Sequence, residues 1–97
     1  MDDLSFVWDD RKAAANQRKH GVAFAEARTA FYDDFARVIS DPDHSINEER
    51  FVLLGMSAGL RLLVVCHCYR ESGSQIRIIS ARRASRQEQQ QYWEFRL

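Results

Sequence analysis

Lys19 and His20 adjoin each other where a helix is expected to end, and Arg77, Arg82 and Arg83 crowd the end of an expected strand. Histidine exchanges protons near neutral pH, and arginine's planar fork grips a phosphate through two hydrogen bonds. Together they describe chemistry at a phosphate, with Lys19 and His20 as acid and clamp and the arginines stabilising the transition state. The negative end of the helix dipole favours cations at Lys19 and His20. Equally, Lys19 can be a solvated helix-end charge and His20 a donor to the last carbonyls. Alternation brings at least two of the three arginines to one exposed surface. The stretch from Ala81 to Ser85, beside a helix N-terminus, offers a phosphate seat. The competing reading ties Arg82 to Glu88 or Glu49 as a structural ion pair.

Other residues carry weaker signals. Lys12, Asn16 and Lys19 recur at helical spacing and form a polar stripe with His20 at its edge. Cys66-His67-Cys68 lies in an apolar run that reads as a strand, so the cysteines share one face and His67 points to the other. With no second Cys/His cluster to complete four ligands, zinc is rejected, and the cysteines read as buried reduced thiols. His67 then reads as a core histidine with a satisfied hydrogen bond, and only secondarily as a functional one. Tyr92 and Trp93 either stack bases or pack on the sheet, Tyr92 being the better functional candidate. Glu49, beside the loop that holds His44 and Glu48, is a general base if that loop folds over the sheet and a solvated acid otherwise.

These candidates sit in a chain of 97 residues, 45% apolar and of zero formal net charge. That size encloses one core, so a single domain over residues 1–97 is expected. Zero net charge argues against a nonspecific nucleic-acid coat, but the distribution is polar. Residues 1–49 hold 11 acids against 6 Lys and Arg, whereas residues 50–97 hold 8 Arg, no Lys and 3 acids. An arginine-only basic half suits phosphate contact or an acidic partner. The longest apolar run, Leu62 to Cys66, is too short for a membrane span, and Met1-Asp2-Asp3 lacks a secretory pattern, so a cytoplasmic protein is expected.

The elements that position the candidates follow from periodicity. Ser5 to Trp8 is a short extended run. Asp9 caps a helix over Asp10 to His20, with Trp8 as its staple and Gly21 as its left-handed stop. The only apolar side chains of that helix are Ala13, Ala14 and Ala15, so it must lie close against its neighbour. Phe24, Ala27 and Phe31 indicate a second helix, entered from the poor cap Ala23. Strands follow at Ala36 to Ser40, Arg50 to Met56, Leu60 to Tyr69 and Gln75 to Arg82, with turns at Asp41-Pro42-Asp43, Ser57-Ala58-Gly59 and Glu71 to Ser74. Ser85 and Glu88 form a capping box that opens a terminal helix. The expected architecture is α+β, ordered β-α-α-β-β-β-β-α, with an antiparallel sheet packed by two N-terminal helices and a C-terminal helix, and the helices on one sheet face.

In that order, Phe6-x-Trp8-Asp9-x-x-Lys12-x-x-x-Asn16-x-x-Lys19-His20-Gly21-Val22-x-Phe24-x-Glu26-Ala27 resembles the N-terminal signature of the BrnT toxin family. Glu49-Arg50-Phe51 leading to Gly55 resembles its middle. The run from Arg77 to Ala84, followed by Glu88 and Tyr92, is similar to its C-terminal signature. Ala23 departs from the capping Ser or Asp frequent there, which bears on the second helix alone. The resemblance implies a RelE-like fold and a metal-independent endoribonuclease that cleaves RNA through the substrate's 2′-OH and inhibits translation. Lys19, His20, Arg77, Arg82 and Tyr92 are then the catalytic candidates, and Lys12, Arg50, Arg61 and Arg83 would bind RNA. No cofactor is implied. The implied partner is a BrnA-like ribbon-helix-helix antitoxin, with operator DNA reached only through it. A non-catalytic protein or nucleic-acid interaction module is the alternative, because the same arginines serve both.

Overall fold

Asp9 begins the first helix as its spacing requires. Its carboxylate accepts the N–H of Arg11 at 2.8 Å and of Lys12 at 3.0 Å, satisfying two of the amides that a helix start leaves open. Gly21, at φ 70°, ends the helix and donates to Gln17 O, a conformation glycine enters without the Cβ clash. The computed structural model describes residues 4–40 and 49–97. The expected turn at Asp41-Pro42-Asp43, together with His44 and Glu48, lies outside the described residues.

The described elements are β1 (Ser5–Val7), α1 (Asp10–His20), α2 (Phe24–Ala27), a 3-10 segment (Arg28–Tyr32), β2 (Arg37–Ser40), β3 (Phe51–Met56), β4 (Leu62–Arg70), β5 (Gln75–Arg83) and α3 (Arg86–Arg96). The sheet runs β1-β5-β4-β3-β2. It is mixed rather than antiparallel: β1 pairs with β5 in parallel, Ser5 to Gln75 through Val7 to Arg77, while the other pairs are antiparallel. The α1–α2 hairpin and the meander that follow β1 carry the chain back to that edge in the same direction. The expected second helix is a single α turn that tightens into the 3-10 segment. Ala23 gives it no side-chain cap, and the segment passes close over β3. There a Cβ on Gly55 would stand 2.8 Å from Ala30 O and 3.2 Å from Ala36 Cβ, so that strand position requires glycine.

Strand alternation divides the apolar residues between two faces. Leu53, Leu63, Val65, Ile78 and Ala81 pack under Val22, Phe24, Ala27 and Ala30, forming the main core on the side of α1 and α2. Leu62, Val64, Val52, Leu54 and Met56 face the other way and meet Tyr92 of α3. The helices therefore do not share one sheet face, as expected from sequence; α3 covers one end of the second face and leaves the rest open. Ser85 and Glu88 open α3 with the expected capping box, Glu88 Oε1 accepting Ser85 N–H at 2.8 Å and Ser85 Oγ accepting Glu88 N–H at 3.2 Å.

Asn16 is the one buried residue of α1. Its amide donates to Val22 O at 2.9 Å and to Ala81 O at 2.8 Å, and its oxygen accepts Ala81 N–H at 3.0 Å. Past Val7, where β1 stops pairing with β5, this side chain bonds the β5 edge as a neighbouring strand would. The expected close approach of α1 thus rests on Asn16 and half-buried Ala13; Ala14 and Ala15 are exposed. Asn16 is not part of a solvated polar stripe.

Candidate active site on the open sheet face

A bulge in the β4–β5 pairing decides which arginines meet. Val64 pairs with Arg82 and Cys66 with Ser80, but after a register shift at Cys66/His67, His67 pairs with Ile78 and Cys68 with Arg77. Val64, Cys66 and Cys68 share a face of β4, so Arg82, Ser80 and Arg77 share it as well. Uninterrupted alternation would have joined Arg77 to Arg83. The extra residue in β5 joins it to Arg82 and turns Arg83, opposite core residue Leu63, to the helical side.

On this open face a cleft of about 500 Å³ is lined by His20, Arg50, Val52, Val64, Cys66, Ser80, Ala81 and Arg82. No carboxylate lines it among the described residues. His20 reaches it from the end of α1, Arg50 from the residue before β3, and Ser80 and Arg82 from β5. Cys66 is half-buried here, not enclosed as expected, whereas Cys68 is buried, and neither is in a disulfide. Farther along the same face, Arg70 and Arg77 border a recess of about 360 Å³ with Val7, Trp8 and Asp9. The Asp9 carboxylate is held below its ordinary value, mainly by the Lys12 N–H, with the charge of Arg77 adding to the effect.

Arg82 is already engaged. Its two terminal nitrogens donate to the two oxygens of Glu88 at 2.8 and 2.9 Å, and this bidentate contact, first among the causes, holds Glu88 down to about 2. The structural pairing weighed from sequence is therefore present, with Glu88 rather than Glu49 as partner. Arg82 still lines the cleft, where a phosphate can use its remaining donors.

The other expected site residues lie elsewhere. Tyr92 is 0% exposed, and its hydroxyl donates to Asp33 Oδ2 at 2.7 Å. Asp33 also accepts Met56 N–H at 2.8 Å and Phe35 N–H at 2.9 Å. Burial alone would raise the Asp33 carboxyl, but these bonds outweigh it and hold it low. Tyr92 thus knots α3 to the chain before β2, away from the cleft. Replacing it with phenylalanine is expected to cost about 1 kcal/mol of stability, read by urea unfolding, and to leave the cleft unaltered.

Arg61 is half-buried, ion-paired with Glu26, and donates to Gly21 O at 3.2 Å. Ser57 Oγ donates to the same carboxylate at 2.7 Å, so Arg61 fastens the β3–β4 turn to α2. Lys12 and Lys19 are exposed on α1, outside the cleft lining. Glu49 is exposed. His67 is enclosed as a core histidine between Phe31, Phe51 and Tyr69. Burial lowers its basicity, partly offset by its bond with Val65 O at 3.1 Å. Sequence reasoning missed Arg70, Ser80 and Cys66 as neighbours of the site. Alternation from Val64 gave a signal for Cys66 and Arg70, and alternation from Arg82 one for Ser80; only the meeting of Arg77 with them depends on the bulge.

These features define a class: small α+β proteins whose sheet is clad by helices on one face and carries a cationic cleft on the other. The chain belongs to the BrnT family: the family described as "Ribonuclease toxin, BrnT, of type II toxin-antitoxin system" matches residues 8–88. The crystal structure of the Brucella abortus ribonuclease toxin BrnT is similar, with a TM-score of 0.65 and 24% identity over 87% of this chain and 100% of that one. At that identity the likeness concerns the fold. No curated protein matches the chain significantly. No helix among the described residues is long and apolar enough to cross a membrane.

Proposed function

We propose that this ribonuclease toxin is a RelE-like, metal-independent endoribonuclease that cuts single-stranded RNA in the His20–Arg50–Arg82 cleft, inhibits translation and is silenced by a BrnA-like antitoxin. The observation that carries the reading is the convergence of a histidine and two arginines from three separate elements on one cleft whose described lining holds no carboxylate. In this mechanism the substrate's 2′-oxygen attacks the adjacent phosphorus. The P–O2′ bond forms, the P–O5′ bond breaks, the 2′-OH proton leaves to water, and protonated His20 delivers a proton to the departing 5′-oxygen. Arg50 and Arg82 stabilise the phosphorane, where fixed charge contributes most. Arg70 and Arg77 hold the neighbouring backbone phosphates, and exposed Lys12 and Lys19 add attraction from α1.

The test is incubation of end-labelled single-stranded RNA with purified protein in EDTA, with and without ribosomes. The expected products end in a 2′,3′-cyclic phosphate and a 5′-hydroxyl. RNA that is bound but uncut in both conditions would identify a non-catalytic interaction module instead.

A further inference from the structure

Beyond the cleft, the recess of about 360 Å³ at the β1 edge gathers a carboxylate and two guanidiniums around one aromatic ring. Val7 pairs with Arg77, Arg77 with Cys68, and Arg70 follows Cys68 by two residues, so alternation brings both arginines to the open face. Trp8 and Asp9 complete the lining from the link between β1 and α1. The indole is half-buried and held edge-on to Phe24 at 6.0 Å, which fixes it as a wall. Arg77 precedes Arg82 by five residues on β5, roughly 16 Å at the rise of a strand. That exceeds one nucleotide step, so the recess meets a nucleotide other than those joined at the cut.

Asp9 has one oxygen to offer there. Its Oδ1 accepts both cap bonds, from the N–H of Arg11 and of Lys12, which leaves Oδ2 as the acceptor for a ligand. Arg77 acts on this carboxylate through its charge and not through a hydrogen bond, so a group can enter between them. Such a group needs donors for Asp9 beside an acceptor for Arg77. Among the RNA bases guanine fits most fully, because N1–H and N2–H adjoin each other and O6 follows them. Uracil presents one donor between two carbonyl oxygens, one of which would face the carboxylate. Adenine and cytosine present an amino group beside a single ring nitrogen. The indole wall takes any base and adds affinity without choice.

We propose that this recess is a guanine subsite for the RNA strand, in which Asp9 Oδ2 accepts N1–H and N2–H, Arg77 donates to O6 and Arg70 holds the nucleotide's phosphate. An arginine has five N–H donors, enough for Arg77 to serve O6 and a backbone phosphate together. A guanine at a fixed distance from the cut then directs cleavage. That consequence rests on the proposed RNA cleavage; the preference of the recess for guanine does not.

The experiment titrates the full chain with the 5′-monophosphates of guanosine, inosine and uridine, following the Trp8 indole N–H by NMR, in wild type and in Asp9→Asn. Asparagine caps a helix as well as aspartate does. Because its oxygen must take over the cap bonds of Oδ1, its amide nitrogen replaces Oδ2 and turns the acceptor into a donor. Wild type should bind guanosine monophosphate at least about 10-fold more tightly than uridine monophosphate, the effect of one hydrogen bond to a charged group. Inosine monophosphate, which lacks N2–H, should fall between them. In folded Asp9→Asn the advantage of guanosine should vanish. Equal wild-type affinities overturn the subsite, and so does a guanosine advantage that survives in Asp9→Asn. Should Asp9→Asn fail to fold, the wild-type comparison of guanosine with inosine decides, equality again overturning the subsite. A second arm maps the cuts in a randomised single-stranded RNA, where guanine should be enriched at one fixed distance from the cut by wild type and not by Asp9→Asn. Cutting by wild type without that enrichment overturns the directing role. If wild type cuts no RNA under any condition, the function proposed above falls, while the nucleotide titration still decides the recess.

Discussion

Substituting His20 with glutamine is expected to slow single-turnover RNA cleavage about 100- to 1,000-fold, in the range by which a positioned acid or base accelerates proton transfer. Glutamine keeps the size and hydrogen bonding of the side chain but cannot deliver a proton to the 5′-oxygen. His20 is half-buried at the end of α1 and presents its ring to a cleft that lacks carboxylates among its described lining residues. None of the described lining residues is an acid that can take over. Removing Arg50 should also cost about 100-fold or more, because it withdraws a fixed positive charge from the phosphorane. Arg82→Ala should be the more damaging arginine change. It removes a clamp and also strands Glu88, whose carboxylate Arg82 holds down to about 2, as an unpaired negative charge beside the phosphate path. A Glu88→Gln, Arg82→Ala double variant should recover part of that loss, which simple removal of a binding arginine would not. Wild-type cleavage by folded His20→Gln would remove the histidine from the mechanism and leave only the electrostatic part of the site.

The features legible in the sequence are those whose cause is local. Asp9, Gly21 and the Ser85–Glu88 box each act within one helical turn, and the structure has all three where their residue types place them. The strands follow from alternation, and the division of Cys66 and Cys68 from His67 follows from the same period. The parallel pairing of β1 was not legible, because nothing in Ser5–Val7 distinguishes a partner 70 residues away. The bulge was equally hidden: one extra residue in β5 leaves the composition of the run unchanged, yet it exchanges Arg83 for Arg82 as the companion of Arg77. The site could therefore be read as a set of residue types, but not as an arrangement. Tyr92 was left open between stacking bases and packing on the sheet, because its residue type fits both. The fold adds that its ring lies in the core and its hydroxyl bonds Asp33, a partner 59 residues away that no local pattern names.

Asn16 was the residue most misread, and its replacement is expected to have the largest effect on stability. A solvated asparagine on a helix stripe tolerates alanine, which even favours the helix. Buried as it is, Asn16→Ala would instead strand three main-chain groups, Val22 O, Ala81 O and Ala81 N–H, in the seam between α1 and β5. Each unsatisfied buried group costs about 1–3 kcal/mol, so a net loss of about 3 kcal/mol is expected after local relaxation. That is a large fraction of the roughly 5–15 kcal/mol by which domains are stable. For a chain of this length it lowers the melting temperature by about 12–24 °C. Asn16→Asp should be no milder, since its carboxylate can accept from Ala81 N–H but faces two carbonyl oxygens in place of a donor. Urea unfolding of the three proteins measures this directly. A loss below about 0.5 kcal/mol for Asn16→Ala would mean that α1 is held by Ala13 and its hairpin connection alone. The same bonds fix where α1 ends relative to β5, and so the position of His20 against Arg82. Residual cleavage by Asn16→Ala, measured at a temperature where it is fully folded, should accordingly fall more than that of Tyr92→Phe, whose lost bond ties α3 to Asp33 and does not position His20.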